Sequence, residues 1–181
     1  MFTITNHFVD QAEFVESPNF SERPEGTEPS LLVIHNISLP PGKFGGPYVV
    51  DFFQNKLDSS THPFFEEIVN LQVSSHLFIN RKGDLIQFVD FSKKAWHAGA
   101  SEFEGQKECN DFSIGIELEG TDTEPYSDEQ YSSLIDLTQC LIKTYSEITS
   151  ERIVGHCDIA PSRKTDPGES FDWSKYKNSL A

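Results

Sequence analysis

The chain has 181 residues, of which 36% are hydrophobic and 12% aromatic, and its formal net charge is −15 at pH 7. This length and apolar content predict one domain over residues 1–181, large enough to bury a sizeable core. The negative charge argues against nucleic acid or an anionic membrane as a partner. No apolar run approaches the ~20 residues that a transmembrane helix needs.

Two further features indicate a cytoplasmic protein. The first residues lack the basic region and the apolar core of a signal peptide. The three cysteines, Cys109, Cys140 and Cys157, are too few and odd in number for a disulfide framework. We therefore expect reduced thiols in a reducing compartment.

The first half of the chain predicts short elements separated by loops. Prolines and a glycine interrupt residues 1–30, which we expect to form an irregular N-terminal segment. An apolar run that ends in His35 predicts a buried strand over Ser30–His35. After a loop rich in Pro and Gly, the pattern predicts two short helices and then two strands joined by a hairpin turn: Tyr48–Leu57, Pro63–Leu71, Val73–Asn80 and Leu85–Val89.

The second half predicts a strand, a long helix and a final short strand. Phe112–Leu118 alternates between apolar and polar residues, which is typical of a strand. Ser127 and Gln130 have the spacing of a capping box before a helix with one apolar face. Arg152–Gly155 predicts a short strand that leads into His156. The fold class is therefore α/β (α+β), a single domain with a mixed central sheet and helices packed on it.

Chemically active residues concentrate in the loop Gly155–Gly168, which two prolines keep out of regular structure. This loop carries His156 and Asp166, and His35 ends a strand far upstream. Two imidazoles and one carboxylate form a three-ligand set with an open fourth position, as in catalytic zinc sites. Cys157 is a weaker alternative ligand, because it directly follows His156.

Other polar residues are candidates for catalytic or substrate-binding roles beside a metal. Glu117 or Glu119 could orient a water and accept its proton, and strand parity alone does not separate them. Lys164 could stabilise negative charge on a carbonyl oxygen, and Arg163 could bind a carboxylate. Trp96 could form a flat wall for a ligand, although core packing is the commoner explanation of a lone tryptophan.

Four segments resemble the type-2 N-acetylmuramoyl-L-alanine amidase family. They occur in the family's order, and the resemblance covers nearly the whole chain: Leu32–Gly42, Ala95–Gly99, Asn110–Asp122 and Gly155–Gly168. The resemblance implies a fold like that of the amidases and the peptidoglycan recognition proteins.

The resemblance also implies a role for each matched residue. His35, His156 and Asp166 would bind one Zn²⁺ per chain. Glu117 rather than Glu119 would orient the catalytic water, and Lys164 would assist at the oxyanion. The remaining matched residues would contact the muropeptide: Asn36, Trp96 and Arg163.

The implied activity is hydrolysis of the amide bond between (1,6-anhydro)N-acetylmuramic acid and L-alanine in cytoplasmic muropeptides. This reaction serves peptidoglycan recycling and removes signals that induce β-lactamase. The expected partner is the anhydro-muropeptide substrate, with no nucleic acid, membrane or obligate protein partner. A general cell-wall amidase and a non-catalytic muropeptide-binding sensor are the alternatives.

Two positions depart from what related enzymes often carry. Gln72 and Glu108 stand where basic residues are common in such enzymes. If these positions face the carboxylates of the stem peptide, we expect weaker or differently arranged binding of that peptide in this chain.

Overall fold

The computed structural model describes residues 1–180, and a mixed six-stranded sheet forms its centre. Twelve strands occur within residues 1–180. In chain order they are β1 (Ile4–Thr5), β2 (Phe8–Val9), β3 (Glu13–Phe14), β4 (Phe20–Glu22), β5 (Leu31–Ile37), β6 (Leu77–Ile79), β7 (Leu85–Gln87), β8 (Lys93–Ala95), β9 (Glu102–Phe103), β10 (Gln106–Lys107), β11 (Ser113–Glu119) and β12 (Ile153–Gly155).

The helices lie between and after groups of these strands along the chain. The α-helices are α1 (Tyr48–Phe53), α2 (Pro63–Ile68), α3 (Asp128–Thr144), α4 (His156–Ile159) and α5 (Trp173–Asn178). Short 3₁₀ helices occupy Ser59–Thr61, Cys109–Asp111 and Ser150–Arg152. Among residues 1–180, no helix is both long and apolar enough to cross a membrane.

The strand order of the central sheet is β12-β5-β11-β6-β7-β3. Strand β5 lies between β12 and β11 and is parallel to both, and β11 is also parallel to β6. Strands β6 and β7 form the predicted antiparallel hairpin. Residues 31–35 of β5 are all buried, as expected for a strand covered on both faces. The predicted mixed sheet with packed helices is confirmed.

Helix α3 covers one face of this sheet. Its capping box is present, because the Ser127 side chain accepts from the Gln130 amide and the Gln130 side chain accepts from the Ser127 amide. The apolar stripe of the helix packs on Ile114, Ile116 and Leu118 of β11 in one core cluster. A second cluster, built around α1 and α2, covers part of the other face. The candidate site lies beside this second cluster.

Several predicted boundaries are wrong. Residues 1–30 are not irregular throughout, since they contain a β1–β2 hairpin, the edge strand β3 and strand β4. These strands have two or three residues, too few for a periodic signal. The first strand of the hairpin covers Leu77–Ile79 rather than Val73–Asn80. Before it, the Ser74 and His76 amides donate to the carbonyls of Trp96 and Gly115, outside any ladder.

Candidate active site

Sheet register places His35 and His156 side by side. Gly155, the last residue of β12, pairs with Ile34 of β5 in parallel register. The next residues of both strands are the two histidines, so their side chains emerge together at the same edge of the sheet. The loop after α4 then returns and brings Asp166 to them, tied by a hydrogen bond from the Cys157 amide to the Asp166 carbonyl.

Three ligand atoms, one each from His35, His156 and Asp166, converge at this point and form a triangle. Nδ1 of His35 lies 3.0 Å from Nδ1 of His156 and 3.0 Å from Oδ2 of Asp166. Nδ1 of His156 lies 3.1 Å from the same Asp166 oxygen. Both imidazoles are buried, and Asp166 is partly buried. Burial lowers the pKa of His35 to about 4, so its ring is neutral near pH 7, the form that binds a metal.

The hydrogen bonds behind the two imidazoles show that this triangle suits a cation. Nε2 of His156 lies 3.2 Å from the Ala98 carbonyl, which can only accept, so the neutral ring presents a lone pair on Nδ1. Nε2 of His35 has its own partner, Nδ1 of His97, at 2.9 Å. When each imidazole carries its proton on Nε2, three atoms with free lone pairs face one another. Nitrogen and oxygen ligands at this spacing match the tetrahedral set that zinc prefers.

Glu117 lies next to this triangle. It pairs in register with His35 across β11 and β5, which puts both side chains on the same face of the sheet. Its Oε2 atom is buried and has no hydrogen-bond partner among the described residues. Burial, and then the nearby Asp166 carboxylate, raise the pKa of Glu117 well above its usual value, while Lys164 opposes the shift.

Glu119, two residues further along β11, is bound differently. Its Oε1 accepts from the Gly45 amide at 2.5 Å, and its Oε2 accepts from the Arg81 amide at 3.0 Å. The side chain is 4% exposed and ties two loops to the end of the strand. Hydrogen bonding therefore distinguishes the two carboxylates that strand parity could not separate.

A cleft of about 720 Å³ opens over the triangle. One side is apolar and comes from the loop after β5 and from α1, α2 and the segment after α2; it includes Leu39, Phe52, Phe53, Phe64, Ile68 and Leu71. The other side is polar and includes Glu117, Asp122, Lys164 and Thr165. Lys164 has no carboxylate within ion-pair distance in the described part of the chain. An elongated ligand with polar and apolar parts fits such a cleft.

The three predicted substrate-binding residues all line this cleft, and each is also held by the protein. Asn36 donates from Nδ2 to Oδ1 of Asp122 at 2.8 Å. Trp96 donates from Nε1 to the Ser21 hydroxyl at 3.0 Å. Arg163 donates from Nη2 to the Ala98 carbonyl at 2.7 Å. These bonds hold the side chains in fixed orientations at the cleft wall.

Other sequence candidates lie outside the cleft. Gln72 and Glu108 are exposed, and neither lines the cleft, although Leu71 and Val73 on either side of Gln72 do. Cys157, the weaker alternative ligand, does not belong to the cluster of three ligand atoms. Burial raises the pKa of its thiol, which disfavours the thiolate that binds metals.

Sequence reasoning missed the residues that stand behind the triangle. His97 is buried and contacts both His35 and Ser113. Asn110 accepts the amides of His97 and Ala98 through Oδ1, at 3.1 and 2.8 Å. One available signal was Gly115 in the middle of a strand, because a Cβ there would lie 2.5 Å from Cγ of His97.

Comparison with known proteins identifies the family. The family model described as N-acetylmuramoyl-L-alanine amidase matches residues 25–169. The chain belongs to this family. It is therefore an amidase, and the matched region contains all three residues of the triangle together with Glu117 and Lys164.

Individual relatives of this amidase agree over almost the full length. The 1,6-anhydro-N-acetylmuramyl-L-alanine amidase AmpD of Haemophilus influenzae is 55% identical over 166 residues, 92% of this chain and 90% of the relative. A crystal structure of a selenomethionine AmpD derivative has a TM-score of 0.96 at 49% identity and covers 98% of this chain and 99% of its own.

A more distant structure contains a ligand. It is the complex of the amidase AmiD from E. coli with the substrate anhydro-N-acetylmuramic acid-L-Ala-D-γ-Glu-L-Lys. Its TM-score is 0.62 at 28% identity, and the match covers 98% of this chain and 65% of that one.

Proposed function

We propose that residues 1–181 act as one zinc-dependent amidase domain that cleaves the bond between the lactyl group of 1,6-anhydro-N-acetylmuramic acid and L-alanine. The observation that carries this proposal is the pairing of a buried, unpartnered Glu117 oxygen with three converging acceptor atoms in one cleft. Two findings support the substrate class. The AmpD relatives are named as 1,6-anhydro-N-acetylmuramyl-L-alanine amidases, and the AmiD structure contains an anhydro-muramyl peptide.

His35, His156 and Asp166 would hold the zinc ion. The chemistry that zinc supplies when bound is Lewis-acid polarisation of the scissile carbonyl and a lowered pKa of water. The Glu117 carboxylate accepts the proton of the attacking water and then delivers it to the alanine nitrogen as that group leaves.

The remaining cleft residues position the substrate and stabilise developing charge. The Lys164 ammonium has no carboxylate partner among residues 1–180, so it is available to stabilise negative charge on the carbonyl oxygen. Asn36, Trp96 and Arg163 would contact the muropeptide from fixed positions in the wall. The apolar side of the cleft offers contacts to the apolar parts of the muropeptide.

The cellular setting is part of the proposal. The three cysteines are free thiols, which supports a cytoplasmic location where wall fragments are recycled. There the reaction would remove muropeptides that induce β-lactamase.

The test is mass spectrometry of anhydro-muropeptide incubated with the protein before and after zinc chelation. We expect a free stem peptide beginning with L-alanine and a free anhydro-muramic acid product, lost on chelation and restored by added Zn²⁺. Binding of the muropeptide without cleavage by zinc-loaded protein would instead show a sensor. A parallel incubation with intact peptidoglycan tests the general wall amidase, which should release equal amounts of product from both substrates.

A further inference from the structure

A chain of three polar side chains runs from the triangle into the core. Nε2 of His35 lies 2.9 Å from Nδ1 of His97, and Nε2 of His97 lies 3.0 Å from the Ser113 hydroxyl. Ser113 is fully buried, and His35 and His97 are 1% and 9% exposed. Water therefore has little access to these nitrogens, and each must find its partner within the protein.

The order of protons along this chain decides what His35 presents to a metal. His97 accepts from Nε2–H of His35 only when its own proton is on Nε2. Ser113 Oγ provides an acceptor at that position. In this arrangement Nδ1 of His35 has a free lone pair toward His156 and Asp166. In the reverse arrangement His35 carries a proton on Nδ1, which blocks that atom as a ligand.

The surrounding structure fixes His97 in place. Its ring lies against Gly115 of β11, where any Cβ would collide with it. Asn110 holds the backbone on both sides of the peptide bond, through the amides of His97 and Ala98. The Ala98 carbonyl in turn accepts from Nε2 of His156. One short segment thus supports both imidazoles of the triangle.

We infer that His97 is a positioning residue that orients His35 and keeps its Nδ1 free to bind zinc. This inference rests on the proposed zinc site and assigns a role that the reaction itself does not require. A partner of this kind typically contributes 10–100-fold to metal affinity. His97 also borders the cleft, so contact with substrate is the competing role that the experiment must separate.

The test compares the zinc affinity of three variants by competition with a chromophoric chelator. His97→Phe keeps a planar ring over Gly115 and removes both nitrogens, and we expect zinc binding about 10–100-fold weaker. His97→Asn keeps an acceptor at the place of Nδ1 and should restore most of the affinity. His97→Gln keeps a polar group nearer the place of Nε2, beside Ser113, and should restore less.

A matched control is His76→Gln. His76 is buried next to His97 and bonds to the Gly115 amide and the Lys93 carbonyl, without touching the triangle. The His76→Gln substitution should lower the melting temperature and leave zinc affinity unchanged. Wild-type affinity in His97→Phe, with only a higher Michaelis constant, would overturn the inference and make His97 a substrate contact. Equal affinities in the Asn and Phe variants would overturn it as well.

A spectroscopic measurement on the wild-type protein tests the inference without relying on the folding of any variant. Long-range ¹H–¹⁵N spectra of the zinc-loaded chain should show the His97 proton on Nε2 and an unprotonated Nδ1. A proton on Nδ1 of His97 contradicts the inference. Failure of the wild-type chain to bind zinc at all contradicts the proposed function instead, so the two failures are distinguishable.

Discussion

Two carboxylates on the same face of β11 have opposite surroundings. Glu119 lies where two loops meet the end of the strand, and backbone amides occupy both of its oxygens. Glu117 lies on the polar side of the cleft, and its buried Oε2 has no partner among residues 1–180. The strand positions are equivalent in pattern, so the difference comes entirely from what the rest of the fold places around each one.

This difference separates a structural role from a chemical one. Hydrogen bonds to a charged group stabilise a fold by about 1.5–3 kcal/mol each, whereas an unsatisfied buried group costs about 1–3 kcal/mol. A fold keeps such a cost chiefly where function uses the group. The comparison therefore predicts that substitution of Glu117 chiefly lowers activity, whereas substitution of Glu119 chiefly lowers stability.

The largest expected effect is on turnover in Glu117→Gln. The amide cannot accept the proton of the attacking water, and removal of a general base lowers turnover on the order of 10²–10⁴-fold. Steady-state kinetics with anhydro-muropeptide measure this loss. The variant should still bind about one equivalent of zinc, because the three ligands are unchanged. Turnover within a few-fold of wild type would remove Glu117 from the mechanism.

Lys164→Met should have the next largest effect. Loss of one donor to a developing oxyanion lowers turnover by roughly 10²–10³-fold. The methionine keeps most of the side-chain volume, so the Michaelis constant should change much less than turnover. A raised Michaelis constant with normal turnover would instead assign Lys164 to substrate binding.

Glu119→Gln should destabilise the fold and spare the chemistry. The amide keeps one acceptor for Gly45 or Arg81 and loses the charge-assisted bond to the other, a loss of about 1.5–3 kcal/mol in the free energy of unfolding. Denaturant titration measures this value. Turnover per folded molecule should stay near wild type, and a loss equal to that of Glu117→Gln would refute the distinction between the two positions.

A smaller effect is expected in the pH dependence of stability. The pKa of Glu117 is raised in the folded, zinc-free chain, so folding disfavours the charged form. The wild-type chain should therefore lose stability relative to Glu117→Gln as pH rises above about 4.3, the ordinary value for glutamate. Below that pH Glu117 is protonated in both the folded and the unfolded chain, so the stability difference between the two proteins should no longer change with pH. Melting curves of both zinc-free proteins between pH 4 and 8 measure the trend.

The smallest effects are expected at Gln72 and Glu108. A basic residue at either position could bind a stem-peptide carboxylate, which would lower the Michaelis constant of Gln72→Arg or Glu108→Arg. Neither side chain lines the cleft, so we expect at most a weak, salt-sensitive decrease. Kinetics with anhydro-muramyl tripeptide at two salt concentrations measure it. A strong decrease would show that the peptide extends beyond the cleft wall.

Sequence patterns predicted the parts of the fold that have strong local signals. The continuous apolar run of β5 and the capping box of α3 are examples, and both lie where expected. Strand β3 was missed because two residues cannot show a period, and its pairing with β7 depends on distant parts of the chain. Helix α1 ends at Phe53 rather than Leu57, and Asn55 has a positive φ of 58° that a helix cannot continue through.

The candidate site was predictable only in part for the same reason. The residue types of the loop Gly155–Gly168 indicate a metal site, and the family resemblance pairs them with His35. Local sequence does not show that backbone amides from two other loops occupy Glu119. It also does not show that His97, from a segment between β8 and β9, reaches the back of His35. Both facts depend on tertiary contacts between residues far apart in the chain.

The most direct test of the account is hydrolysis of anhydro-muropeptide in H₂¹⁸O, followed by mass spectrometry of both products. Attack of water on the lactyl carbonyl should leave one ¹⁸O atom in the lactyl carboxylate of the anhydro-muramic acid and none in the peptide. The label should form in Glu119→Gln at a rate near wild type and be nearly absent in Glu117→Gln. Label in the peptide, or equal label formation in the two variants, would contradict the account.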